Sequence, residues 1–174
     1  MVDVSFPVSA TAKACALGEK CLKPVLQALL LADHVYQDAG SGKRIVAGIF
    51  SRLLIKAKLP TAEIEHGGQK KQIAFGGLHA GSPYAYISLT DVFGSVPLSL
   101  RYVDLYDNTV LLQCDVTVEC QDRLATVELT LPMPPLPTPH TGVYALELVC
   151  KDEPIGALRV VVDEMTIPEQ PTDG

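Results

Sequence analysis

VLLQCDVTVEC, residues 110–120, follows a period of two in its side-chain polarity. A repeat of two places alternate residues on opposite sides of an extended chain and has no helical interpretation. The segment therefore predicts a strand with one side toward a core. The apolar side carries Val110, Leu112, Cys114, Val116, Val118 and Cys120, and the other side carries Leu111, Gln113, Asp115, Thr117 and Glu119.

The segments on both sides repeat this kind of pattern. Strands are predicted at 25–36, 44–50, 53–59, 83–93, 98–106, 124–131, 142–150 and 155–162. Short connections rich in Gly, Pro, Asp and Asn separate them, including a hairpin-length link at 151–154. Strands with one apolar face each must hide it against a second sheet. The sequence thus predicts an all-β, two-sheet antiparallel β-sandwich, immunoglobulin-like or related, with a small β-barrel as second choice.

The chain of 174 residues has room for one domain of ordinary size. We expect a loosely ordered leader at 1–23, the sandwich domain at 24–163 and a flexible tail at 164–174. The segment 132–139, PMPPLPTP, holds five prolines and must be extended. We interpret it as a stiff crossover between the sheets; the alternative is a PxxP ligand for a partner domain.

Charge and composition limit the partners. The net charge of −6 argues against nucleic acid and anionic membranes, which need clustered Lys and Arg. No basic leader with a long apolar run is present, so a cytoplasmic protein is expected. The five cysteines include no C-x-x-C pair, so we expect structural thiols, no metal site and no cofactor. Cys114 and Cys120 are expected to be buried on the apolar side of their strand.

The run Gly40-Ser41-Gly42-Lys43 resembles a phosphate-binding loop only superficially. Such a loop needs Gly at 37, a hydroxyl after the lysine and a following helix, and all three are missing. A turn accounts for the same residues, with Asp38 accepting a local backbone hydrogen bond and Gly40 and Gly42 at positive φ. Tyr36 and Arg44 are then expected to face each other across the hairpin, and Gly48 is a candidate bulge.

LLLADHVYQDAGSGKRIVAGIF at 29–50, LSLRYVDLYDNTVL at 98–111 and TGVYALELVCKDEPIGALRVVV at 141–162 resemble an uncharacterised bacterial all-β family. The likeness covers roughly 25–162 and includes the motif Pro-x-x-Gly-x-Tyr, here 139–144. This domain family has no known activity, so the resemblance implies no catalytic residues. The leader and the proline-rich segment depart from the family pattern.

Asp33-His34 is the most conspicuous polar pair, because Asp33 shares a strand face with Leu29, Leu31 and Val35. A carboxylate on such a face acts as a general base or ligand anchor, or it simply accepts backbone hydrogen bonds. The loop histidines His66, His79 and His140 have no ligand spacing. Asp104, Asp107 and Asn108 fit either an irregular calcium loop or a plain turn.

Tyrosines are the remaining candidates for contact. Tyr84 and Tyr86 share one strand face, and Tyr102 and Tyr106 share another if their strand is regular. Exposed pairs suit partner binding, whereas half-buried core rims use tyrosine in the same way.

The sequence lacks any convergent acid, base, nucleophile and metal set. It predicts a non-enzymatic binding or assembly module that meets a protein partner, or another copy of itself, through an edge strand or a tyrosine-bearing face. The alternatives are a small hydrolase-like enzyme using Asp33, His34 and a loop histidine, and a calcium- or small-ligand-binding sandwich.

Overall fold

The computed structural model describes residues 23–55, 61–66, 69–74 and 82–165. Within these ranges the chain forms eleven strands and no helix. The strands are β1 (Val25–Gln37), β2 (Arg44–Phe50), β3 (Arg52–Ile55), β4 (Thr61–His66), β5 (Gln69–Ala74), β6 (Tyr84–Thr90), β7 (Gly94–Asp104), β8 (Thr109–Cys120), β9 (Val127–Pro132), β10 (Gly142–Cys150) and β11 (Glu153–Glu164). Outside the described residues lie 1–22 of the predicted leader, 166–174 of the predicted tail, Cys15, Cys21 and His79.

Two sheets form the sandwich, and the predicted fold class is confirmed. One sheet has the order β2-β1-β6-β9 and the other has the order β3-β11-β10-β7-β8, while β4 and β5 form a separate hairpin. Pairing is antiparallel throughout except between β11 and β3, which run parallel. Only Ser51 separates β2 from β3, so the chain passes directly from the first sheet to the second, where β3 runs parallel to β11.

The core lies between the sheets and takes side chains from both. Leu31 and Ile87 from the four-stranded sheet and Leu53, Leu100 and Leu146 from the five-stranded sheet are at most 1% exposed. At roughly 1.5–3 kcal/mol for each fully buried aliphatic side chain, this interior is the main source of stability. The five-stranded sheet curls into half of a barrel.

Strand β8 confirms the two-residue alternation beyond residue 111 and differs from the prediction in two details. Leu111, expected on the polar side, is 7% exposed and belongs to the core, because the ladder between β7 and β8 shifts register beside it. Val116 and Val118 lie opposite Leu98 and Val96 on the core side. Cys114 lies on that side too, opposite Leu100, but it is exposed rather than buried. The reason is that β8 ends its sheet, so its middle has only one neighbouring strand to cover it.

The turn between β1 and β2 confirms the main interpretation of Gly40–Lys43. The Asp38 carboxylate accepts hydrogen bonds from the backbone N–H and hydroxyl of Ser41, at 2.7 and 2.6 Å. These bonds, the hydroxyl's first, lower the pKa of Asp38. Gly42 has φ of +70° as expected, whereas Gly40 is not at positive φ, so that half of the prediction was wrong.

The register of this hairpin also differs from the expectation. Tyr36 lies opposite Ile45, and Arg44 lies opposite Gln37. Gly48 does not mark a bulge, since the register is the same before and after it. It has φ of +69° instead, and the Asp33 side chain packs against it so closely that an added Cβ would lie 2.2 Å from Asp33 Oδ2.

The segment between β9 and β10 carries the chain from one sheet to the other, as the crossover interpretation required. Pro134 and Pro135 are exposed, whereas Met133 and Leu136 are 5% and 0% exposed and belong to the core. The backbone N–H of Met133 donates to Pro83 O at 2.8 Å. The proline-rich segment is therefore a packed part of the sandwich.

Three local features differ from the expected strands. Strands β4 and β5 were not predicted, and β3 begins one residue before the expected 53–59, of which 56–59 lie outside the described residues. The link between β10 and β11 narrows to Lys151 and Asp152, with φ of +52° and +63°. Two consecutive residues at positive φ are typical of the type I′ turn that matches strand twist.

Candidate functional site

The candidate functional site in the described structure is a group of polar and aromatic side chains at one end of the sandwich. There β7 ends, β10 begins, and the 105–108 turn meets the end of the crossover. Strand pairing puts Tyr144 opposite Asp104, and the crossover then lays His140 beside both. Residues far apart in sequence thus share one corner.

Asp104 and His140 form a close hydrogen-bonded pair in this corner. His140 Nε2 lies 2.8 Å from Asp104 Oδ2, and His140 Nδ1 lies 2.7 Å from the Thr141 carbonyl oxygen. Both ring nitrogens of His140 are therefore engaged in hydrogen bonds. Asp104 is 0% exposed, and its other oxygen accepts the Tyr106 backbone N–H at 3.0 Å. The buried carboxylate is therefore fully partnered, as a buried charge requires.

Tyr144 fixes the backbone of the same corner. Its hydroxyl donates to the His140 carbonyl at 2.7 Å, and the His140 N–H points back to that hydroxyl at 3.3 Å. A tyrosine near the start of a strand that bonds the backbone a few residues upstream is a tyrosine corner, a recurring feature of immunoglobulin-like sandwiches. The Tyr144 ring stacks on Tyr102 with centroids 5.4 Å apart.

Burial raises the pKa of the Tyr102 phenol and of the Tyr144 phenol, because an ionised phenolate would lose its hydration inside the core. The Asp104 carboxylate raises both further. Both side chains are therefore neutral around neutral pH. Tyr144 uses its hydrogen as a donor, whereas the Tyr102 hydroxyl is buried with no hydrogen-bond partner among the described atoms.

A cavity of about 420 Å³ opens beside this cluster, and we call it the corner hollow. Its walls are mostly apolar: Tyr106, Leu105 and Val143 are 86%, 40% and 39% exposed. The edge of the Tyr106 ring meets His140, with centroids 5.6 Å apart. The hollow is lined by Leu105, Tyr106, His140, Thr141, Gly142 and Val143.

The chemistry of this arrangement follows from its hydrogen bonds. A general base needs a nitrogen lone pair that can reach a substrate proton. Both nitrogens of His140 are already in hydrogen bonds, with Asp104 and Thr141. Asp104 and His140 thus satisfy each other, and most of the accessible surface of the hollow belongs to its apolar walls. Within 23–55, 61–66, 69–74 and 82–165, no three His, Cys, Asp or Glu side chains are grouped as metal ligands.

Asp33 and His34 are exposed neighbours on β1, whose side chains point to opposite sides of the strand. The loop histidine that the structure pairs with an aspartate is His140, and the aspartate is Asp104 rather than Asp33. The His66 side chain is not described. Among the described loop histidines, His140 is thus bonded to Asp104, and the alternative that groups Asp33 and His34 with a loop histidine stays a prediction.

The four tyrosines occupy three environments. Tyr84 and Tyr86 are half-buried on the outer side of β6, opposite the buried Ala85 and Ile87. The Tyr86 hydroxyl donates to Glu128; burial first and this bond second raise the pKa of Tyr86.

Tyr102 is 0% exposed and Tyr106 is 86% exposed, so of the two only Tyr106 offers a contact surface and they do not share a strand face. The cause is the end of β7 at Asp104: Tyr106 lies in the following turn and no longer follows the strand's alternation.

The possible calcium loop is a turn closed by its own side chains. Asp104 is occupied by His140 and Tyr106 as described, and Asp107 Oδ1 accepts the Thr109 N–H at 3.1 Å. Asn108 has φ of +57°, which asparagine tolerates better than most residues. These contacts agree with the plain turn considered in the sequence.

Sequence reasoning missed the Asp104–His140–Tyr144 cluster. One signal was available: Tyr144 follows His140 by four residues at the start of a predicted strand, which is the spacing of a tyrosine corner. The pairing with Asp104 had no such local signal.

Comparison of the chain with protein-family models and with curated proteins finds no match. The resemblance to an uncharacterised family therefore stays a prediction. Among the described residues, none belongs to a helix of the length and apolarity needed to cross a bilayer.

Proposed function

We propose that this chain is a non-enzymatic β-sandwich module that binds a partner protein at the corner hollow. The observation that carries the proposal is the contrast between the exposed apolar walls of the hollow and the self-satisfied polar groups behind them. A recessed site with aromatic and aliphatic walls suits an apolar side chain of a partner. Tyr106 supplies a large ring at little cost in conformational entropy.

The experiment uses N-acetyl-L-phenylalaninamide as a probe for an apolar side chain. Its titration into the ¹⁵N-labelled protein is expected to shift the backbone amides of 105–106 and 141–143. Tyr106→Ala removes the most exposed wall and should weaken the response about tenfold, in the range of an aromatic contact residue. Tyr36→Ala is the matched control, because Tyr36 is 53% exposed on β1 and does not line the hollow.

Two outcomes oppose the proposal. Shifts spread evenly over the surface, or an undiminished response in Tyr106→Ala, would show that the hollow does not receive the probe. The same two variants also test a natural partner. A protein that binds the wild type and Tyr36→Ala must fail to bind Tyr106→Ala.

A second contact is proposed at the edge strand β8, where another copy of the chain would pair. β8 has twelve residues and, among the described strands, pairs only with β7. The other edges are less open to pairing: β3 has four residues, β9 ends at Pro132, and β2 contains Gly48 at positive φ. β8 contains no Lys, Arg or Pro. Its charged side chains are Asp115 and Glu119, and its register against β7 shifts only near Leu111, so the regular stretch 112–120 is the part of this edge that can accept another strand.

Sedimentation velocity tests this contact. We expect a dimer that forms as concentration rises and that Thr117→Lys weakens, because a lysine on an edge strand opposes pairing. Thr126→Lys, at an exposed position before β9, should leave the dimer intact. A wild-type monomer at every concentration would end this second proposal and leave the corner hollow untouched.

A further inference from the structure

A second cavity, with a volume of about 380 Å³, lies over β7 and β8 on the side of the five-stranded sheet that faces away from the core. We call it the sheet hollow. Alternation along β7 builds it: Leu98, Leu100 and Tyr102 face the core, so Ser99 and Arg101 face outward into the hollow. The ladder places Asp115 opposite Ser99 and Gln113 opposite Arg101.

Two hydrogen-bond donors in this hollow have no acceptor. Ser99 Oγ and Arg101 Nε are both shielded from solvent, and neither has a hydrogen-bond partner among the described atoms. Buried polar groups in folded proteins are nearly always partnered, so each exception needs an explanation. Here the two exceptions are two residues apart on one strand, and both residues line the same cavity. That coincidence points to an acceptor that arrives from outside the chain.

The charges around the hollow limit what that acceptor is. Arg101 and Lys151 are cationic, whereas Asp115 and Asp152 are anionic, so the formal charges of the lining cancel. Gln113 Nε2 donates to both oxygens of Asp115, at 3.1 and 3.4 Å, so this carboxylate already has a hydrogen-bond partner on its own strand. A balanced lining of this kind favours a ligand with a single negative charge over a polyanion.

Geometry favours a carboxylate. A guanidinium offers Nε–H and an Nη–H as a fork that matches the two oxygens of a carboxylate, and the Arg101 side chain must turn its shielded Nε–H toward the hollow to use it. The Ser99 hydroxyl can donate to the same group from the neighbouring outward position. A cavity of about 380 Å³ is within the size range of small-molecule sites.

We propose that the sheet hollow binds a small carboxylate, with Arg101 and Ser99 donating hydrogen bonds to its oxygens. The site is independent of the corner hollow and shares no lining residue with it. A side chain of a bound peptide and a free carboxylic acid offer the same group.

The test is an NMR titration that follows the Arg101 Nε–H and the amides of 99–101 and 115–117. Sodium acetate serves as the free carboxylate and N-acetyl-glutamate-N-methylamide as the peptide-borne one, with sodium chloride at equal ionic strength as reference. We expect saturable shifts with at least one carboxylate. Arg101→Gln should weaken binding about tenfold or more, since it removes a charge-assisted bidentate contact.

Control variants keep the proposal falsifiable. Arg159→Gln removes an exposed arginine on β11 outside the hollow and should change nothing. Ser99→Ala should weaken binding by a smaller factor, and it decides the question if Arg101→Gln fails to fold.

Three results would overturn the proposal: carboxylates acting no differently from chloride; an unchanged response in Arg101→Gln and Ser99→Ala; or saturable binding of sodium phosphate with none of either carboxylate.

Discussion

Tyr102 and Tyr144 stack on each other within the core, yet only one of their two hydroxyl groups is hydrogen-bonded. The Tyr144 hydroxyl closes the corner by donating to His140, whereas the Tyr102 hydroxyl is buried without a partner among the described atoms. Removing a bonded hydroxyl loses a hydrogen bond. Removing an unbonded buried hydroxyl loses no hydrogen bond and relieves its desolvation penalty. The two tyrosines therefore form a matched pair for mutation.

We predict that Tyr144→Phe lowers the free energy of unfolding by about 1 kcal/mol, the net value of a typical intramolecular hydrogen bond. Tyr102→Phe should leave stability unchanged or raise it, because the ring stack survives without the unpartnered hydroxyl. Urea unfolding of both variants measures the difference. A larger loss for Tyr102→Phe than for Tyr144→Phe would contradict the hydrogen-bond assignment.

Alkaline pH provides a second test at this scale. Burial raises the pKa of Tyr102 and Tyr144 in the folded chain, whereas the unfolded phenols ionise near their ordinary value of 10.0. The stability that these phenols contribute is fully present below about pH 10. It is lost as the pH rises toward the folded pKa values, because the unfolded state then releases protons that the folded state retains.

We therefore expect the free energy of unfolding to fall above about pH 10, with a limiting slope near 1.4 kcal/mol per pH unit for each phenol. Urea unfolding at a series of pH values measures the slope. The double variant Tyr102→Phe/Tyr144→Phe should show a shallower decline, and an identical decline would assign the effect to other groups.

At the scale of elements, Gly48 gives the β1–β2 hairpin an unusual backbone conformation without changing its register. Asp33 and Gly48 lie opposite each other at the same register, but the positive φ of Gly48 lets the Asp33 side chain occupy the space of a Cβ. The sequence correctly suggested that Gly48 is special and misjudged the reason. A glycine signals an unusual backbone, and the packing around it decides which one.

Gly48→Ala should lower the free energy of unfolding by about 1–2 kcal/mol, the cost of a left-handed backbone for a residue with a Cβ. The close approach to Asp33 adds to that cost. Gly40→Ala is the control, because Gly40 lies in the adjacent turn without positive φ and its nearest contact is Asp38 Oδ2 at 3.6 Å. Thermal unfolding compares the two, and equal effects would refute the explanation.

At the scale of the whole molecule, the proline-rich crossover ties the two sheets together. It leaves β9 in one sheet and enters β10 in the other, and Leu136 fills the core on the way. It ends at His140, whose bond to Asp104 closes the corner. The crossover therefore contributes both to the core and to the candidate site.

Leu136→Ala should lower the free energy of unfolding by about 2–5 kcal/mol, because it leaves a cavity in a packed interior. Pro135→Ala, at an exposed position beside it, should change stability by no more than about 1 kcal/mol. Denaturant unfolding of the two variants tests whether the segment is a packed crossover; a mild Leu136→Ala would count against it.

The sequence by itself determined the class of fold, most strands and the turn at Asp38–Lys43. Those features depend on alternation and on residues such as Gly42, which act over a few neighbouring positions. Only the tertiary structure decided that β3 joins β11 in parallel, that Tyr102 is buried, and that Asp104 meets His140. These outcomes depend on which strands pair and where each one ends. Pairing is settled by the packing of two sheets around a shared core, so no short stretch of sequence contains it.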